Sequence, residues 1–408
     1  MHLFLQNSKI NPRTDITITG SKSESNRLLL LKALFSSLEI NNVSNSDDSQ
    51  YMLKALSTES TTVDIHHAGT AMRFLTAYFA TLEGNTTLLT GSERMQERPI
   101  QILVEALREL GADIEYANKE GYPPLKITGK QLLKDEVRMK ANVSSQYISA
   151  LLLMATKLKN GLKLHLEGKI TSVPYIKMTL SLLEQIGVET SFEGQTIKVK
   201  PYLELAQKTL TVESDWSSAS YFYSIIALSP PGTQVSLSTY KKDSLQGDAV
   251  LKDIYRQMGV ETSFEASRII LKKTTNTLPP SIDIDLANAP DIAQTIVVSC
   301  LGLQIQCRLT GLHTLKIKET DRLEALKNEI YKFGTDLTIS NDSLSLLDPK
   351  PLMSGATVET YNDHRMAMAF APLALLTSFS INEAEVVSKS FPDFWENLSE
   401  LGFNISES

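Results

Sequence analysis

Cysteine and long apolar runs are scarce in this chain of 408 residues. Its two cysteines, Cys300 and Cys307, are too few for a disulfide framework and lack metal-ligand spacing. We expect them to pack in a core, in a reducing compartment such as the cytoplasm. The most apolar stretches, 28–35 and 367–376, fall short of the roughly 20 residues of a membrane helix. Nor does the polar start of the chain resemble a signal peptide.

Positively charged residues do not outnumber negatively charged ones. Lys and Arg number 40 against 47 Asp and Glu, giving a net charge of −7. The chain therefore has no global basic field for nucleic acid or an anionic membrane, and an anionic ligand has to be held by local cations. The hydrophobic fraction of 42% is enough for a large core, and the length suggests two or three domains.

A helix pattern that ends in glycine and continues into a short alternating strand recurs along the chain. The copies read ILVEALRELGADIEY, LSLLEQIGVETSFE, LKDIYRQMGVETSFE, LKNEIYKFGTDLTI and WENLSELGFNIS. Their glycines, spaced 76, 72, 75 and 68 residues apart, are Gly111, Gly187, Gly259, Gly334 and Gly402. A sixth copy at 52–67, MLKALSTESTTVDIHH, lacks the glycine. Each glycine is predicted to end its helix in the left-handed conformation, a structural role.

Six further helices, each with a small or polar start, are too apolar to lie at a surface. They begin at Ser21, Ala68, Ser144, Ser217, Asp291 and Asp363. Helices that are apolar on nearly all sides are normally buried, so each repeat is predicted to hold one buried and one amphipathic helix. Short β-rich segments such as PLKITG and LKLHLEG lie between them.

The polar starts of these helices have two interpretations. Any single start is best explained as a helix N-cap. Six parallel helices together would direct several free N–H groups toward one face, which is typical of an anion site. Cations at these starts and in two loops supply local positive charge: Lys22, Arg27, Arg73, Arg98, Lys318, Arg322 and Arg365. Gathering them would be unfavourable unless a multiply charged anion offset the repulsion.

Nine sequence blocks, in order and spanning nearly the whole chain, resemble the signature of the 5-enolpyruvylshikimate-3-phosphate (EPSP) synthase family. They are GSKSESNR at 20–27, HAGTAMR at 67–73, MQERP at 95–99, SSQ at 144–146, SVPYIKMTL at 172–180, PDIAQT at 290–295, KIKETDR at 316–322, YNDHRMAM at 361–368 and KSFPDFW at 389–395. The resemblance implies a shikimate-pathway transferase that moves the enolpyruvyl group of phosphoenolpyruvate to the 5-hydroxyl of shikimate 3-phosphate and releases phosphate.

The resemblance also implies an α/β (α+β) fold, a two-domain inside-out α/β barrel. Each domain has three βαβαββ repeats around buried parallel helices. Residues 1–20 with 215–408 would form one discontinuous domain and 21–214 the other, with the active site in the cleft between them and closure over the substrates. The family further implies a monomer that needs no metal or organic cofactor and has small-molecule substrates as partners.

The family's binding residues carry over by matching position. For shikimate 3-phosphate they would be Lys22, Ser23, Arg27, Ser144, Ser145, Gln146, Ser172, Asp291 and Lys318. For phosphoenolpyruvate they would be Lys22, Gly69, Arg98, Gln146, Arg322, Arg365 and Lys389. Hydroxyls suit a polyol phosphate, whereas guanidinium groups capture carboxylate and phosphate in bidentate fashion.

Four residues are expected to be catalytic by the same resemblance. Asp291 would accept the proton of the hydroxyl, Glu319 would donate one to the methylene carbon, and Lys318 would stabilise the charge that moves between them. Lys22 would touch both substrates. Without the resemblance, Asp291 is a candidate helix N-cap and Glu319 with Arg322 is a candidate i,i+3 ion pair.

Three positions depart from the family pattern. His67 stands where Asn is usual, Phe74 where Pro is usual, and Thr314 where the family has an Asn that contacts the shikimate phosphate. The contact at Thr314 is therefore not carried over. Gly69 leaves room for glyphosate, the family's inhibitor, whereas Phe74 could distort the helix and weaken its binding.

Two rival functions remain open at this stage. A sister enolpyruvyl transferase acts on UDP-N-acetylglucosamine, but it uses a loop cysteine and a GAKNA-like start, and this chain has neither. A non-catalytic anion-binding protein could share the scaffold, although retention of Lys22, Asp291, Lys318, Glu319 and Lys389 favours an enzyme.

Overall fold

Two units make up the chain in a computed structural model that describes residues 1–141, 144–168, 170 and 173–407. We call Met1–Thr19 with Glu213–Ser408 the discontinuous unit and Gly20–Val212 the continuous unit.

Short strands and helices alternate along both units. The strands are β1 (Leu3–Gln6), β2 (Arg13–Ile16), β3 (Leu38–Asn41), β4 (Thr62–Asp64), β5 (Thr86–Thr90), β6 (Asp113–Tyr116), β7 (Leu125–Thr128), β8 (Glu136–Lys140), β9 (Leu162–Glu167), β10 (Thr190–Glu193), β11 (Thr196–Val199), β12 (Lys208–Thr211), β13 (Gln234–Ser238), β14 (Val260–Glu265), β15 (Arg268–Lys273), β16 (Ser281–Asp285), β17 (Gln306–Thr310), β18 (Thr338–Ile339), β19 (Leu344–Leu346), β20 (Thr357–Val358), β21 (Phe379–Ile381) and β22 (Asn404–Glu407).

The α-helices are α1 (Lys22–Leu34), α2 (Asp47–Ser57), α3 (Gly69–Ala80), α4 (Glu93–Gln96), α5 (Gln101–Leu110), α6 (Ser145–Met154), α7 (Val173–Gln185), α8 (Trp216–Leu228), α9 (Leu251–Arg256), α10 (Ala293–Leu303), α11 (Arg322–Lys332), α12 (His364–Phe370) and α13 (Phe394–Leu401). Short 3-10 helices cover Ala155–Lys157, Gly247–Val250, Pro290–Ile292, His313–Ile317, Ala371–Leu375 and Ala384–Lys389.

Five four-stranded sheets share one pattern, a parallel pair extended by two antiparallel strands. Their orders are β4-β5-β7-β6, β8-β9-β11-β10, β2-β13-β15-β14, β16-β17-β19-β18 and β20-β21-β1-β22. A parallel pair needs a crossover, which a buried helix supplies, and the amphipathic helix then leads into the antiparallel strands. The βαβαββ repeat expected from the sequence is therefore confirmed for these sheets.

The sixth repeat, whose sequence copy at 52–67 lacks the glycine, is incomplete. Its sheet consists of β3 and β12 alone, joined in parallel. The strand after α2 is β4, which pairs with β5 of the next sheet. Without a glycine, α2 ends at Ser57 and continues into extended backbone at Thr58, so the chain does not turn back into a hairpin.

The apolar helices are buried, as expected. In the continuous unit they are α1, α3 and α6, and every residue of α3 except Tyr78 is buried. In the discontinuous unit they are α8, α10 and α12, and Trp216, Tyr221 and Phe222 of α8 lie in its core. Two bounds differ from the prediction, because a 3-10 turn precedes α10 at Asp291 and another follows α12 after Phe370.

The five repeat glycines all have left-handed backbone. Their φ angles range from 75° at Gly259 to 108° at Gly111. Gly111 and Gly402 cap the carbonyl ends of α5 and α13, as the C-cap interpretation predicts.

Candidate active site

The starts of α8, α10 and α12 meet in the discontinuous unit. Ser220 Oγ lies 3.1 Å from Thr295 Oγ1, and one turn later Ser299 Oγ donates to Ser224 Oγ at 2.8 Å. Both contacts advance in the same direction, so α8 and α10 run parallel. At the start of α12, Arg365 Nη2 donates to Ser217 Oγ of α8 at 3.2 Å.

Arg322, the first residue of α11, binds three carboxylates beside these helix starts. Its Nη1 lies 2.8 Å from Asp291 Oδ1, its Nη2 2.8 Å from Glu319 Oε2, and its Nε 2.6 Å from Asp363 Oδ2. The Arg322 side chain is 2% exposed. Burial alone would lower the pKa of this guanidinium, but the carboxylates raise it above its usual value. The i,i+3 ion pair expected between Glu319 and Arg322 is therefore present.

Asp291 is the carboxylate on which the cations converge. Besides Arg322, Lys318 Nζ lies 3.4 Å from its Oδ1 and Arg365 Nη2 lies 3.9 Å from its Oδ2. Burial raises the pKa of Asp291, but Lys318, Arg365 and Arg322 together hold it well below the usual range. Asp291 is thus ionised at neutral pH, and it lies in the 3-10 turn before α10.

A second carboxylate, Asp248, reaches Arg365 through a hydroxyl. Ser217 Oγ donates to Asp248 Oδ2 at 2.5 Å and accepts from Arg365 Nη2. Burial, together with the negative charge of Asp291, raises the pKa of Asp248 to about 6. Arg365 is therefore held between two acidic residues of different basicity.

Lys389 ends a 3-10 helix and binds the turn that precedes α12. Its Nζ donates to the carbonyl oxygen of Asn362 at 2.7 Å. The neighbouring Asp363 caps α12, because its Oδ1 accepts from the backbone N–H of Arg365 at 2.9 Å. Lys389 and Arg365 thus flank one short segment of backbone.

The continuous unit places Lys22 at the start of α1 beside an acid on α2. Lys22 Nζ lies 3.4 Å from Oδ1 of Asp48, which is buried. Ser23, the next residue, uses its backbone carbonyl to accept from Arg27 Nη1 at 2.6 Å. Contacts made by Lys22 and by Arg27 therefore both hold the first turn of α1 in place.

Arg27 is buried, and its guanidinium donates to hydroxyl groups and lies beside an aromatic ring. Its Nε donates to Thr179 Oγ1 at 2.8 Å and its Nη2 to Ser149 Oγ at 3.0 Å. The guanidinium lies 5.5 Å from the centre of the Phe74 ring. Burial lowers the pKa of Arg27 to about 10, so it remains charged at neutral pH. Its charge is solvated by hydroxyls and rings, an arrangement that favours an incoming anion.

Arg98 lies over the start of α3, where Gly69 leaves room for it. A Cβ at Gly69 would come within 2.6 Å of Arg98 Nη1. The buried Arg73 donates to the carbonyl oxygens of Gly69 and Pro99 at 3.3 and 3.0 Å. Burial, with a further contribution from the Arg98 charge, lowers the pKa of Arg73 to about 10. Neither arginine forms a salt bridge within the described part of the chain, so the pair is an uncompensated cationic site.

The start of α6 contributes hydroxyl and amide groups. Ser144 caps the helix by accepting from the Gln146 N–H at 3.4 Å. Gln146 Nε2 donates to Thr70 Oγ1 of α3 at 3.0 Å. Ser145, the residue between Ser144 and Gln146, is buried. Ser172, also expected at this site, lies outside the described residues.

The three departures from the family pattern have distinct structural outcomes. Phe74 is fully buried, and α3 runs through it without interruption, so the expected distortion of the helix is not observed. His67 Nε2 lies 4.0 Å from Asp47 Oδ2. The hydroxyl of Thr314 is buried and has no hydrogen-bond partner among the described residues. It therefore takes no part in the Arg322 cluster.

Sequence reasoning did not assign site roles to several polar residues that hold these groups. They are Asp48, Thr70, Thr179, Ser217, Asp248 and Asp363. Asp363 did carry a signal as the polar start of a buried helix. Asp248 carried none, because it lies in the short 3-10 helix Gly247–Val250, which is too short to show a periodic pattern.

Two kinds of feature, a metal-binding cluster and a membrane-spanning helix, are absent from the described ranges 1–141, 144–168, 170 and 173–407. These ranges contain no group of three or more His, Cys, Asp or Glu side chains arranged to hold a metal ion. In those ranges, no helix has the length and apolar character needed to cross a bilayer.

Comparison with known proteins places the chain in a family. The model of the EPSP synthase (3-phosphoshikimate 1-carboxyvinyltransferase) family matches residues 56–398. A curated 3-phosphoshikimate 1-carboxyvinyltransferase of Bacteroides fragilis is 47% identical, with 98% of each chain covered. The same-named protein of Shewanella halifaxensis is 37% identical and covers 95% of this chain and 96% of its own.

Solved structures share the fold. EPSP synthase from Acinetobacter baumannii matches with a TM-score of 0.79 at 22% identity, over 100% of both chains. The enolpyruvyl transferase NikO from Streptomyces tendae matches with a TM-score of 0.76 at 14% identity, over 100% of this chain and 98% of its own. At such low identity these two support the architecture alone. From the family match and the curated relatives, the chain belongs to the EPSP synthase (3-phosphoshikimate 1-carboxyvinyltransferase) family.

Proposed function

We propose that the protein transfers the enolpyruvyl group of phosphoenolpyruvate to the 5-hydroxyl of shikimate 3-phosphate, giving 5-enolpyruvylshikimate 3-phosphate and phosphate. The observation that carries the proposal is the cluster of Asp291, Lys318, Glu319, Arg322 and Arg365 in a member of this family. It supplies proton-transfer groups and anion-binding groups within one set of contacts.

Phosphoenolpyruvate is assigned to the guanidinium groups. Arg322 and Arg365 in the discontinuous unit, and Arg98 in the continuous unit, offer planar donors that fit carboxylate and phosphate oxygens. Lys389, beside the start of α12, adds a point charge. Lys22 and Gln146 complete this set as the family's matching positions.

Shikimate 3-phosphate is assigned to the helix starts of the continuous unit. Ser23 and Arg27 lie at the start of α1, and Ser144, Ser145 and Gln146 at the start of α6. Helix N-termini with free N–H groups favour anions, and the hydroxyls suit a polyol. Ser172 belongs to this proposal by resemblance alone, while Asp291 and Lys318 would bind the reacting hydroxyl.

The chemistry needs a proton removed and a proton supplied. The 5-hydroxyl oxygen adds to C2 of phosphoenolpyruvate as C3 takes up a proton, and loss of a C3 proton then expels phosphate and restores the double bond. In this proposal Asp291 accepts the hydroxyl proton, Glu319 exchanges protons with C3, and Lys318 stabilises the charge between them. Glu319 thus gives a proton and regains one, and the proton accepted by Asp291 leaves with the released phosphate.

Ligand binding would change the basicity of Asp291. In the structure Lys318, Arg365 and Arg322 depress its pKa and so weaken it as a proton acceptor. The carboxylate and phosphate of phosphoenolpyruvate are competing partners for Arg322 and Arg365. When they take over these cations, the pKa of Asp291 rises toward the value that a general base requires.

Phosphate release by the purified protein tests the proposal. With phosphoenolpyruvate and shikimate 3-phosphate present, we expect release that depends on both substrates. Release with UDP-N-acetylglucosamine as acceptor, and none with shikimate 3-phosphate, would overturn the assignment in favour of the sister reaction. The absence of release with either acceptor would point to a non-catalytic anion-binding protein.

Glu319→Gln is the matched variant for the proton-transfer role. It preserves the size of the side chain but removes its proton-exchanging carboxyl group. We expect phosphate release to fall by at least about a hundredfold, since general acid–base steps contribute this much. Shikimate 3-phosphate affinity, measured by calorimetry, should stay within about twofold. Equal losses in turnover and affinity would show a structural role instead.

We further propose that the protein acts as a monomer in the cytoplasm, without a metal or organic cofactor. The free, buried Cys300 and Cys307 suit a reducing compartment. Its partners would be the two small-molecule substrates rather than nucleic acid, in keeping with the net charge of −7.

A further inference from the structure

Glu329 is a fully buried carboxylate on α11, two turns beyond Arg322. Its side chain has 0% exposure. A buried ionised carboxylate is unfavourable unless several donors satisfy it, so its partners indicate what the position is for.

The partners of Glu329 hold the segment that precedes α12. Tyr361 Oη donates to Glu329 Oε1 at 2.7 Å, and the Glu359 N–H donates to Oε2 at 3.0 Å. Lys332 Nζ binds the same Oε2 at 2.7 Å and donates to the Thr357 carbonyl at 2.9 Å. Direct and shared contacts therefore tie α11 to residues 357–361.

This segment contains an unfavourable backbone conformation. Tyr361 and Asn362 have φ angles of 54° and 56°, and neither is glycine. Successive left-handed residues of this kind persist only where surrounding contacts stabilise them. Glu359 and Tyr361 also line an open surface depression of about 480 Å³ with Met1, His2, Asn382 and Glu383.

The left-handed turn leads directly into the proposed phosphoenolpyruvate groups. Lys389 Nζ binds the Asn362 carbonyl, and Asp363 caps the helix start that carries Arg365. Arg322 binds Asp363 from the first residue of α11. Helix α11 thus holds the turn at two places, through Arg322 at its start and Glu329 near its end.

We propose that Glu329 is a positioning residue that fixes the Tyr361–Asn362 turn and thereby sets Arg365 and Lys389 for phosphoenolpyruvate. The assignment of the ligand rests on the proposed function. Glu329 acts only through the turn, because its oxygen atoms bind Tyr361, Glu359 and Lys332.

Glu329→Gln and Tyr361→Phe test this role. The amide has one acceptor oxygen in place of two, so it cannot accept from both Tyr361 and the Glu359 N–H in their present positions. We expect the KM for phosphoenolpyruvate to rise about tenfold in Glu329→Gln and less in Tyr361→Phe, since a small misplacement of binding groups is costly. The KM for shikimate 3-phosphate should not change.

Tyr255→Phe is the matched control within the same unit. It removes a buried phenol that bonds Ser299 at 2.7 Å and leaves the turn intact. It should lower the melting temperature without changing either KM. If Glu329→Gln behaves like Tyr255→Phe, or raises both KM values equally, Glu329 stabilises the fold generally and the proposal is wrong.

Amide hydrogen exchange separates this proposal from the proposed function. Exchange across residues 359–366 should be faster in Glu329→Gln than in the unchanged protein and in Tyr255→Phe. This readout needs no turnover, so failure of phosphate release in the unchanged protein would count against the proposed function only. Unchanged exchange across this segment in Glu329→Gln would overturn the role of Glu329.

Discussion

At the scale of single residues, Asp248 makes the free energy of unfolding depend on pH. Burial and the charge of Asp291 raise its pKa from 3.8 to about 6. Between about pH 4 and pH 6 the folded chain therefore binds more protons at this residue than the unfolded chain. The free energy of unfolding falls as pH rises through this window, by about 3 kcal/mol for a shift of this size.

Asp248→Asn tests this linkage because it removes the titrating group and keeps an oxygen acceptor for Ser217. Relative to the unchanged protein, the variant should gain stability between pH 4 and pH 7, by up to about 3 kcal/mol. Urea unfolding at both pH values measures the difference. Asp243→Asn, at an exposed position five residues before Asp248, is the control and should show no such change. An equal stability difference at both pH values for Asp248→Asn would contradict the assignment.

Residue roles were only partly predictable from the sequence. The block KIKETDR supplied Lys318, Glu319 and Arg322, and the structure brings Lys318 and Arg322 to Asp291 and Glu319 to Arg322. The sequence led us to expect cations whose repulsion only a bound anion would offset. For Arg322 this was wrong, because carboxylates of the chain itself compensate it. Such compensation depends on distant residues such as Asp363, and spacing along the chain does not reveal it.

At the scale of secondary-structure elements, Lys273 joins the carbonyl ends of two helices. Its buried Nζ donates to the carbonyl of Ala227 in the last turn of α8, at 2.7 Å, and to that of Met258 after α9, at 2.8 Å. A cation at two helix C-termini interacts favourably with the negative ends of both helix dipoles. Burial nevertheless lowers its pKa to about 8, so the ammonium form predominates only modestly at neutral pH.

Lys273→Met should destabilise the protein without affecting the reaction. It removes two hydrogen bonds from a charged donor to buried carbonyls, for which we expect a loss of about 3 kcal/mol. Urea unfolding at pH 7 measures the loss, and kcat should be unchanged. Lys272→Met changes the adjacent, exposed lysine and is the control. A loss no greater than that of the control would show that the two helix ends do not depend on Lys273.

Element order was the most predictable level of the structure. The helix–glycine–strand pattern identified five repeats because each glycine is required where the helix ends in left-handed backbone. Strand pairing was not predictable in the same way. Whether β4 closes one sheet or opens the next is decided by its partner β5, whose paired residues lie 26 positions further along the chain, as in Thr62↔Leu88.

At the scale of the whole molecule, residues 3–16 belong to the discontinuous unit, although the rest of that unit begins only at Glu213. Strand β1 lies between β21 and β22, and β2 pairs with β13. Leu3 and Leu5 of β1 are buried in the core of this unit. Loss of β1 would therefore separate β21 from β22 and expose that core.

Separate expression of the two units tests this dependence. Residues 20–212 should fold alone, because β3 and β12 join the two ends of that unit in one sheet. Residues 213–408 alone should not unfold cooperatively in urea, and attaching residues 1–19 through a flexible linker should restore the transition. A cooperative transition of residues 213–408 without the N-terminal strands would show that β1 and β2 are dispensable.

The division of the chain into two units was harder to predict from the sequence than the repeats were. The length favoured two or three domains, and the family resemblance supplied the discontinuous arrangement. Composition alone does not reveal where the chain passes from one unit to the other, because the segments near 20 and 212 carry no linker-like signal. Close packing marks the point instead, since a Cβ at Gly20 would lie 1.9 Å from the Asn42 carbonyl oxygen and 2.7 Å from Val212 Cγ1.

The three carboxylates around Arg322 have a consequence for ionic strength. An anion that binds there replaces internal partners of the guanidinium, so little net charge is neutralised and dissolved salt screens the exchange weakly. The uncompensated pair of Arg73 and Arg98 differs, because an anion bound to it adds new attraction that salt reduces. The anion sites proposed for the two units therefore differ in their electrostatics, since one depends on partner exchange and the other on direct attraction.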